Sequence, residues 1–185
     1  MATLIILIVI VVGLSFYVIN LYNGLVRGRN EVKSAWSSID VTLKRRYDLI
    51  PNLVETVKGY AAHERQTLDA VVKARQKAVS FTGSVEERAK VENILTQSLR
   101  SLFALAEAYP DLKANQNFVA LQEELATTEN KIGFARQFYN DMAKQYKNRV
   151  EMFPTNIVAS MFNFQAEPFF QLEAPGERVA PQVKL

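Results

Sequence analysis

The sequence has no cysteine and a single histidine among its 185 residues. Without cysteine there is no disulfide framework, no thiolate metal site and no cysteine nucleophile. His63-Glu64 resembles the start of a zinc-protease motif, but zinc binding by two imidazoles needs a second histidine. A glycine-rich phosphate loop and a Gly-x-Ser-x-Gly motif are missing as well. We therefore expect no catalytic residues, no metal site and no cofactor, and predict that the protein is not an enzyme.

Glycine and proline are also scarce, with 7 and 6 residues, and most of the prolines lie late in the chain. This composition favours long uninterrupted elements over a loop-rich sandwich or barrel. From Val32 onward the apolar residues recur at steps of three and four, which is the pattern of one face of a helix. The predicted fold class is therefore all-α.

An uncharged, strongly apolar run extends from Thr3 to Tyr22. As a helix it would rise about 30 Å, which is the thickness of the hydrocarbon core of a bilayer. No lysine or arginine precedes the run, and no small-residue cleavage site follows it. We therefore predict a retained transmembrane helix at residues 3–22 rather than a cleaved signal peptide.

The charge next to this run is basic. Six basic and two acidic residues lie between Arg27 and Arg46. Flanking basic residues predict that the following domain is cytoplasmic and that the N-terminus lies outside. Anionic lipid headgroups are the partner that such a cluster favours. No nucleic-acid partner is expected, because the sequence has no basic face with stacking aromatics and no known motif.

Three long helices are predicted at residues 23–153, arranged as an elongated antiparallel up-and-down bundle. The first covers about residues 24–80, and its apolar phase continues past Pro51, which favours a kink there over a helix end. The second covers 84–108, after Gly83 in a left-handed cap and a capping box from Ser84 to Glu87. The third, 111–153, alternates steps of three and four in a coiled-coil-like seam, within one subunit or between subunits.

The character of the sequence changes after Pro154. Residues 154–175 are predicted to form a short helix and an aromatic tail that contains Phe162, Phe164, Phe169 and Phe170. Exposed rings in this number would aggregate, so the tail should dock on its own bundle or serve as a partner-binding arm. Residues 176–185 are expected to be disordered.

The densest polar stretch surrounds Pro51. Asp48 and Asn52 flank the proline and could satisfy backbone groups that a kink leaves unpaired. Together with Arg45 and Arg46 they form the candidate interaction surface. The alternative is a kinked helix whose charges pair on its surface.

Three blocks of the sequence resemble the LemA family of bacterial membrane proteins. They are YNGLVRGRNEVKSAWSSIDVTLKRRYDLIPNLVETVKGYAAHE at residues 22–64, YPDLKANQNF at 109–118 and LATTENKIGFARQFYND at 125–141. The resemblance covers nearly the whole chain. It implies a helical bundle on one N-terminal helix in a bacterial inner membrane, without established catalytic residues to carry over. Some relatives are linked with building magnetosome membranes, which fits a membrane-organising role.

Two functions follow as hypotheses. The first is a membrane-tethered scaffold that self-assembles into a homo-oligomer or holds a protein partner at the membrane. The second is a lipid-surface module that senses or shapes the membrane through the basic helix next to the span.

Overall fold

The computed structural model of the protein describes residues 1–171, and every regular element in that range is a helix. The all-α prediction is therefore confirmed, while the disorder predicted for residues 176–185 lies outside the described part of the chain. The helices are α1 (Ala2–Lys58), α2 (Arg65–Val79), α3 (Val85–Ala106), α4 (Pro110–Lys113), α5 (Gln116–Glu151) and α6 (Thr155–Met161).

Helix α1 includes the predicted span and continues through Pro51 without ending. The prediction of one helix to about residue 80 is wrong, because α1 ends at Lys58 and α2 begins at Arg65. At this break the amide of Tyr60 donates to the carbonyl of Val57 over 3.0 Å, a tight bond of the kind that closes helix ends. The spacing of apolar residues did not reveal this break, because Val57, Ala61 and Leu68 are buried on both sides of it and within it.

The third predicted helix is also divided, into α4 and α5. The side chain of Asn115 accepts a hydrogen bond from the amide of Phe118 over 3.0 Å, as an N-terminal cap does. Asn115 also donates to the phenol oxygen of Tyr60 over 2.9 Å, a tertiary contact that favours this cap position.

The capping box of α3 is confirmed. The Ser84 hydroxyl accepts from the amide of Glu87 over 3.2 Å, and the amide of Ser84 donates to the Glu87 carboxylate over 3.1 Å. The left-handed conformation predicted for Gly83 is wrong, since none of the described glycines has a positive φ. A Cβ atom at Gly83 would collide with the far end of the Phe81 ring and lie 2.8 Å from the Glu87 carboxylate, so both side chains would have to shift to admit it.

The helices belong to two compact units. The anchor unit consists of Met1–Asp40 and Phe134–Phe169, and the cluster unit consists of Val41–Gly133 and the segment from Phe170. In the anchor unit α1 and α5 run antiparallel, since Glu31 pairs with Arg149 and the ring of Trp36 contacts that of Tyr139. In the cluster unit, the loop from α2 to α3 is short, which makes them antiparallel neighbours.

The seam of α5 is buried within the chain itself. Its members in the cluster unit include Phe118, Leu125 and Ile132, and those in the anchor unit include Tyr139 and Tyr146. The heptad pattern therefore describes the packing of α5 on other helices of the same chain.

Candidate functional site

The anchor unit carries the predicted span on its surface. Helix α1 is long and apolar enough to cross a membrane, and none of its most apolar window is buried by the described chain. Apolar surface of this extent marks a membrane or a partner, because water does not solvate it favourably. This one candidate helix supports a membrane-associated protein.

The aromatic tail docks beside the end of this run. The ring of Tyr22 contacts the rings of Phe162 and Phe164 edge to face, at centroid distances of 4.8 and 5.5 Å. The guanidinium of Arg29 lies 5.1 Å from the centroid of the Phe164 ring, within the range of a cation–π contact. Phe164 is buried by these neighbours, so at this position the tail closes its own unit.

The other predicted tail residues differ in their exposure. Phe162 is half exposed and Phe169 is partly buried, whereas Phe170, which belongs to the cluster unit, is buried. Within the anchor unit, the Tyr139 hydroxyl donates to the backbone carbonyl of Pro168 over 2.8 Å and holds the tail against α5.

Polar contacts also fasten α5 to α1 in the anchor unit. The Arg149 guanidinium lies 3.6 Å from the Glu31 carboxylate and donates to the backbone carbonyl of Gly24 over 3.4 Å. Burial raises the pKa of the Tyr146 phenol, and the nearby charge of Arg29 opposes that change. The Tyr146 phenol therefore stays protonated.

The cluster unit contains a buried group of charges centred on Arg46, which is 1% exposed. Its guanidinium pairs with the buried carboxylate of Glu92 and lies 2.6 Å from the carboxylate of Glu129. It also donates to the hydroxyl of Thr96 over 3.1 Å. We call Arg46, Glu92, Thr96 and Glu129, together with Tyr47, the Arg46 cluster. It joins α1, α3 and α5.

Tyr47 completes the cluster. Its phenol donates to the second oxygen of the Glu92 carboxylate, and its backbone carbonyl accepts from Arg75 over 2.7 Å. Burial raises the pKa of the Tyr47 phenol, and the negative charge of Glu92 raises it further. The phenol therefore stays protonated and acts as a hydrogen-bond donor, which is a structural role.

Arg46 thus has to be removed from the predicted interaction surface, because its charge is buried and paired inside the chain. Arg45, Asp48 and Asn52 are exposed, so they remain candidates for an interaction surface. The Arg45 guanidinium pairs with Glu124 of α5, so its charge is also partly compensated. The sequence contained a signal for Arg46, since it lies three residues after the buried Leu43 and four before the buried Ile50, on the apolar face of α1.

Asn52 lines an open cavity of about 380 Å³ in the cluster unit. Its polar lining includes Thr56, Asn117 and Glu124. A groove of about 300 Å³ lies elsewhere in this unit, with Leu99, Phe103 and Leu125 on its walls. Neither is lined by a nucleophile paired with a base. Among residues 1–171 no three histidine, aspartate or glutamate side chains come together as a metal site would require.

Sequence reasoning missed an exposed pair of rings on α5 in the anchor unit. Phe134 and Phe138 are 73% and 52% exposed, one turn apart on the solvent side of α5. The available signal for their exposure was their position, because both residues fall outside the three-and-four alternation of the buried seam. We call this pair the Phe134 face.

Comparison with known proteins agrees with this architecture. A model of the LemA family matches residues 35–185. Protein LemA of Metamycoplasma hominis is 28% identical over 168 residues, which cover 88% of this chain and 75% of the relative.

Two magnetosome proteins are more distant relatives. Magnetosome protein MamQ 2 of Paramagnetospirillum magneticum is 22% identical over 189 residues, and magnetosome protein MamQ of Magnetospirillum gryphiswaldense is 20% identical over the same length. Each alignment covers 88% of this chain and 70% of the relative. The family match spans far more than half of the chain, and the helical fold with its candidate membrane span agrees with the resemblance seen in the sequence. The chain belongs to the LemA family.

Proposed function

We propose that the protein is a membrane-anchored helical scaffold that self-assembles or holds a partner protein at the membrane, without catalysis. The observation that carries the proposal is the Phe134 face, two large rings that remain exposed on α5 although the seam of the same helix is buried. Exposed aromatic pairs on a rigid helix are the kind of anchor that protein interfaces use.

The span supports the same function, since helix α1 has no break between the apolar run and Lys58. Because the helix is uninterrupted, the packed part of α1 continues directly from the membrane span. The distant relatives are named magnetosome proteins, and a role in organising proteins at a membrane is compatible with that name.

We place the protein in the bacterial inner membrane, with the helical units cytoplasmic and the N-terminus outside. Support for this orientation comes from the flanking charge, since Arg27, Arg29 and Lys33 follow the span. Protease treatment of right-side-out vesicles should leave the helical units intact. Their digestion from outside would reverse the orientation.

The alternative, a lipid-surface module built on the basic helix, has lost part of its support. Arg46 is buried against Glu92 and Glu129, and Arg45 is paired with Glu124. The excess positive charge counted along the sequence is therefore only partly available to anionic lipids.

The mass of the full-length protein in mild detergent, measured by light scattering, tests self-assembly. The wild type should form a discrete particle that contains more than one chain of 20.9 kDa. The double variant Phe134→Ser/Phe138→Ser should have a smaller mass at the same concentration, because the substitution removes apolar contact area without touching the seam. Wild type at the mass of one chain would remove self-assembly from the proposal.

A further inference from the structure

A second exposed apolar surface lies at the C-terminal end of α5, around helix α6. It consists of five large side chains whose exposure ranges from 51% for Phe162 to 79% for Phe153. We call it the α6 patch; its members are Met152, Phe153, Ile157, Met161 and Phe162. Contiguous exposed groups of this kind mark interaction sites, because a folded chain otherwise covers them.

Helix α6 has two distinct sides. Val158 and Ala159 are buried inside the anchor unit, whereas Ile157 and Met161, one turn apart, are exposed. The sequence carries no charge from Met152 to Ala166, between Glu151 and Glu167. The outward side of α6 is therefore apolar and neutral, which differs from the charged outer face usual for a helix in water.

The position of the patch follows from one contact within the anchor unit. Phe162 packs on Tyr22, with 4.8 Å between ring centroids, and Tyr22 is the last residue of the apolar run. Once the span crosses a bilayer, its end lies at the boundary between hydrocarbon and headgroups. Helix α6 has seven residues and is about 10 Å long, so the whole patch stays close to that boundary.

We propose that the α6 patch inserts into the interfacial layer of the membrane, beside the end of the span. The ligand is the neutral, apolar part of the lipid layer, and the interaction requires no anionic headgroup. The patch is continuous with the surface of the span through Tyr22, and lipid already has to cover that surface. Aromatic rings are favoured at this depth, and an apolar helix face lies readily in the plane of the interface.

Insertion would fix the orientation of the anchor unit. A single span leaves the unit that carries it able to tilt relative to the bilayer, whereas a second contact beside the span restricts that tilt. The inference depends on the span lying in a membrane and does not depend on assembly through the Phe134 face.

Spin labelling of the full-length protein tests this, and the absence of cysteine makes single labels straightforward. The variants Ile157→Cys and Met161→Cys carry a nitroxide on the patch. Lys144→Cys, an exposed position on α5 away from the Phe134 face, is the aqueous control, and Leu7→Cys in the span is the lipid control. The protein is reconstituted into phosphatidylcholine vesicles, and collision rates with oxygen and with a water-soluble nickel chelate give the depth of each label.

The ratio of oxygen to chelate collisions should be several-fold higher at positions 157 and 161 than at 144, and closer to the ratio at position 7. Adding phosphatidylglycerol should leave these ratios unchanged. High chelate access at 157 and 161 would overturn the proposal, because the patch would then face water. Low access to both reagents would also overturn it, because protein would then cover the patch. Particle mass does not enter this readout, so failure of the scaffold proposal would be seen separately.

Discussion

The two units of the molecule depart from the usual distribution of side chains in opposite ways. The cluster unit buries charges, with Arg46 and Glu92 almost fully enclosed. The anchor unit exposes apolar groups, in the span, the Phe134 face and the α6 patch. Both arrangements are costly in a free soluble domain, so each needs a specific compensation.

The compensation comes from different places. In the cluster unit the buried guanidinium of Arg46 finds two carboxylates and a hydroxyl within the same unit. In the anchor unit the described chain leaves the large apolar side chains of the span, the Phe134 face and the α6 patch exposed. The buried charges therefore serve the fold, whereas the exposed apolar groups are the surfaces on which the proposed contacts with a membrane or with other molecules depend.

The largest change in the free energy of unfolding is expected from a substitution in the Arg46 cluster. Glu92→Ala would leave the guanidinium of Arg46 buried with less compensating charge, and should lower the free energy of unfolding by about 3–5 kcal/mol. Glu124→Ala is the matched control, because it removes the exposed partner of Arg45 and should cost less than about 1 kcal/mol. Urea unfolding in mild detergent, followed by circular dichroism, measures both. Equal small losses would show that the cluster is not what holds this unit together.

A smaller effect is expected in the aromatic tail. Phe164→Ala removes a buried ring that contacts Tyr22 and Arg29, and should lower the free energy of unfolding by about 3 kcal/mol. Phe162→Ala, at the half-exposed neighbour, should cost about 1 kcal/mol or less in detergent. The same unfolding assay compares them. A reversed order would mean that the tail is held by contacts other than those with Tyr22 and Arg29.

The smallest changes in the free energy of unfolding are expected at two glycines of the anchor unit, and they should have opposite signs. A Cβ atom at Gly28 would lie 3.1 Å from the buried ring of Tyr146, whereas one at Gly24 would meet no described atom within 4 Å. Gly24→Ala should stabilise helix α1 by about 0.5–1 kcal/mol through helix propensity. Gly28→Ala should be destabilising by about 1 kcal/mol, because crowding exceeds that gain. Stabilisation by both changes would mean that Tyr146 can move aside.

Local sequence signals predicted the fold class well, because helices depend on short-range patterns. The uncharged run from Thr3 to Tyr22, the capping box at Ser84 and the seam of α5 each specify structure within a few turns. The breaks at residues 59–64 and at Asn115 were missed, because tertiary contacts such as that between Asn115 and Tyr60 favour them. Propensity and apolar phase contain no information on such contacts.

The candidate site was predicted only in part. Arg45, Asp48 and Asn52 are exposed, but a charge count could not show that Arg46 is paired across helices with Glu92, which is 46 residues away. The Phe134 face and the α6 patch were missed for the converse reason. A sequence shows that a side chain is apolar, whereas its exposure depends on which helices pack against it.

Photo-crosslinking in native membranes tests the central claim most directly. Benzoylphenylalanine replaces Phe134 or Phe138 in separate variants, with Lys144 as the control position, roughly 80–120° away around the α5 axis. Illumination should give a product of discrete mass from positions 134 and 138 and little from 144. A product of twice the chain mass would identify a second copy, and another discrete mass would identify a partner. No product from 134 and 138, or equal yields at all three positions, would contradict the scaffold account.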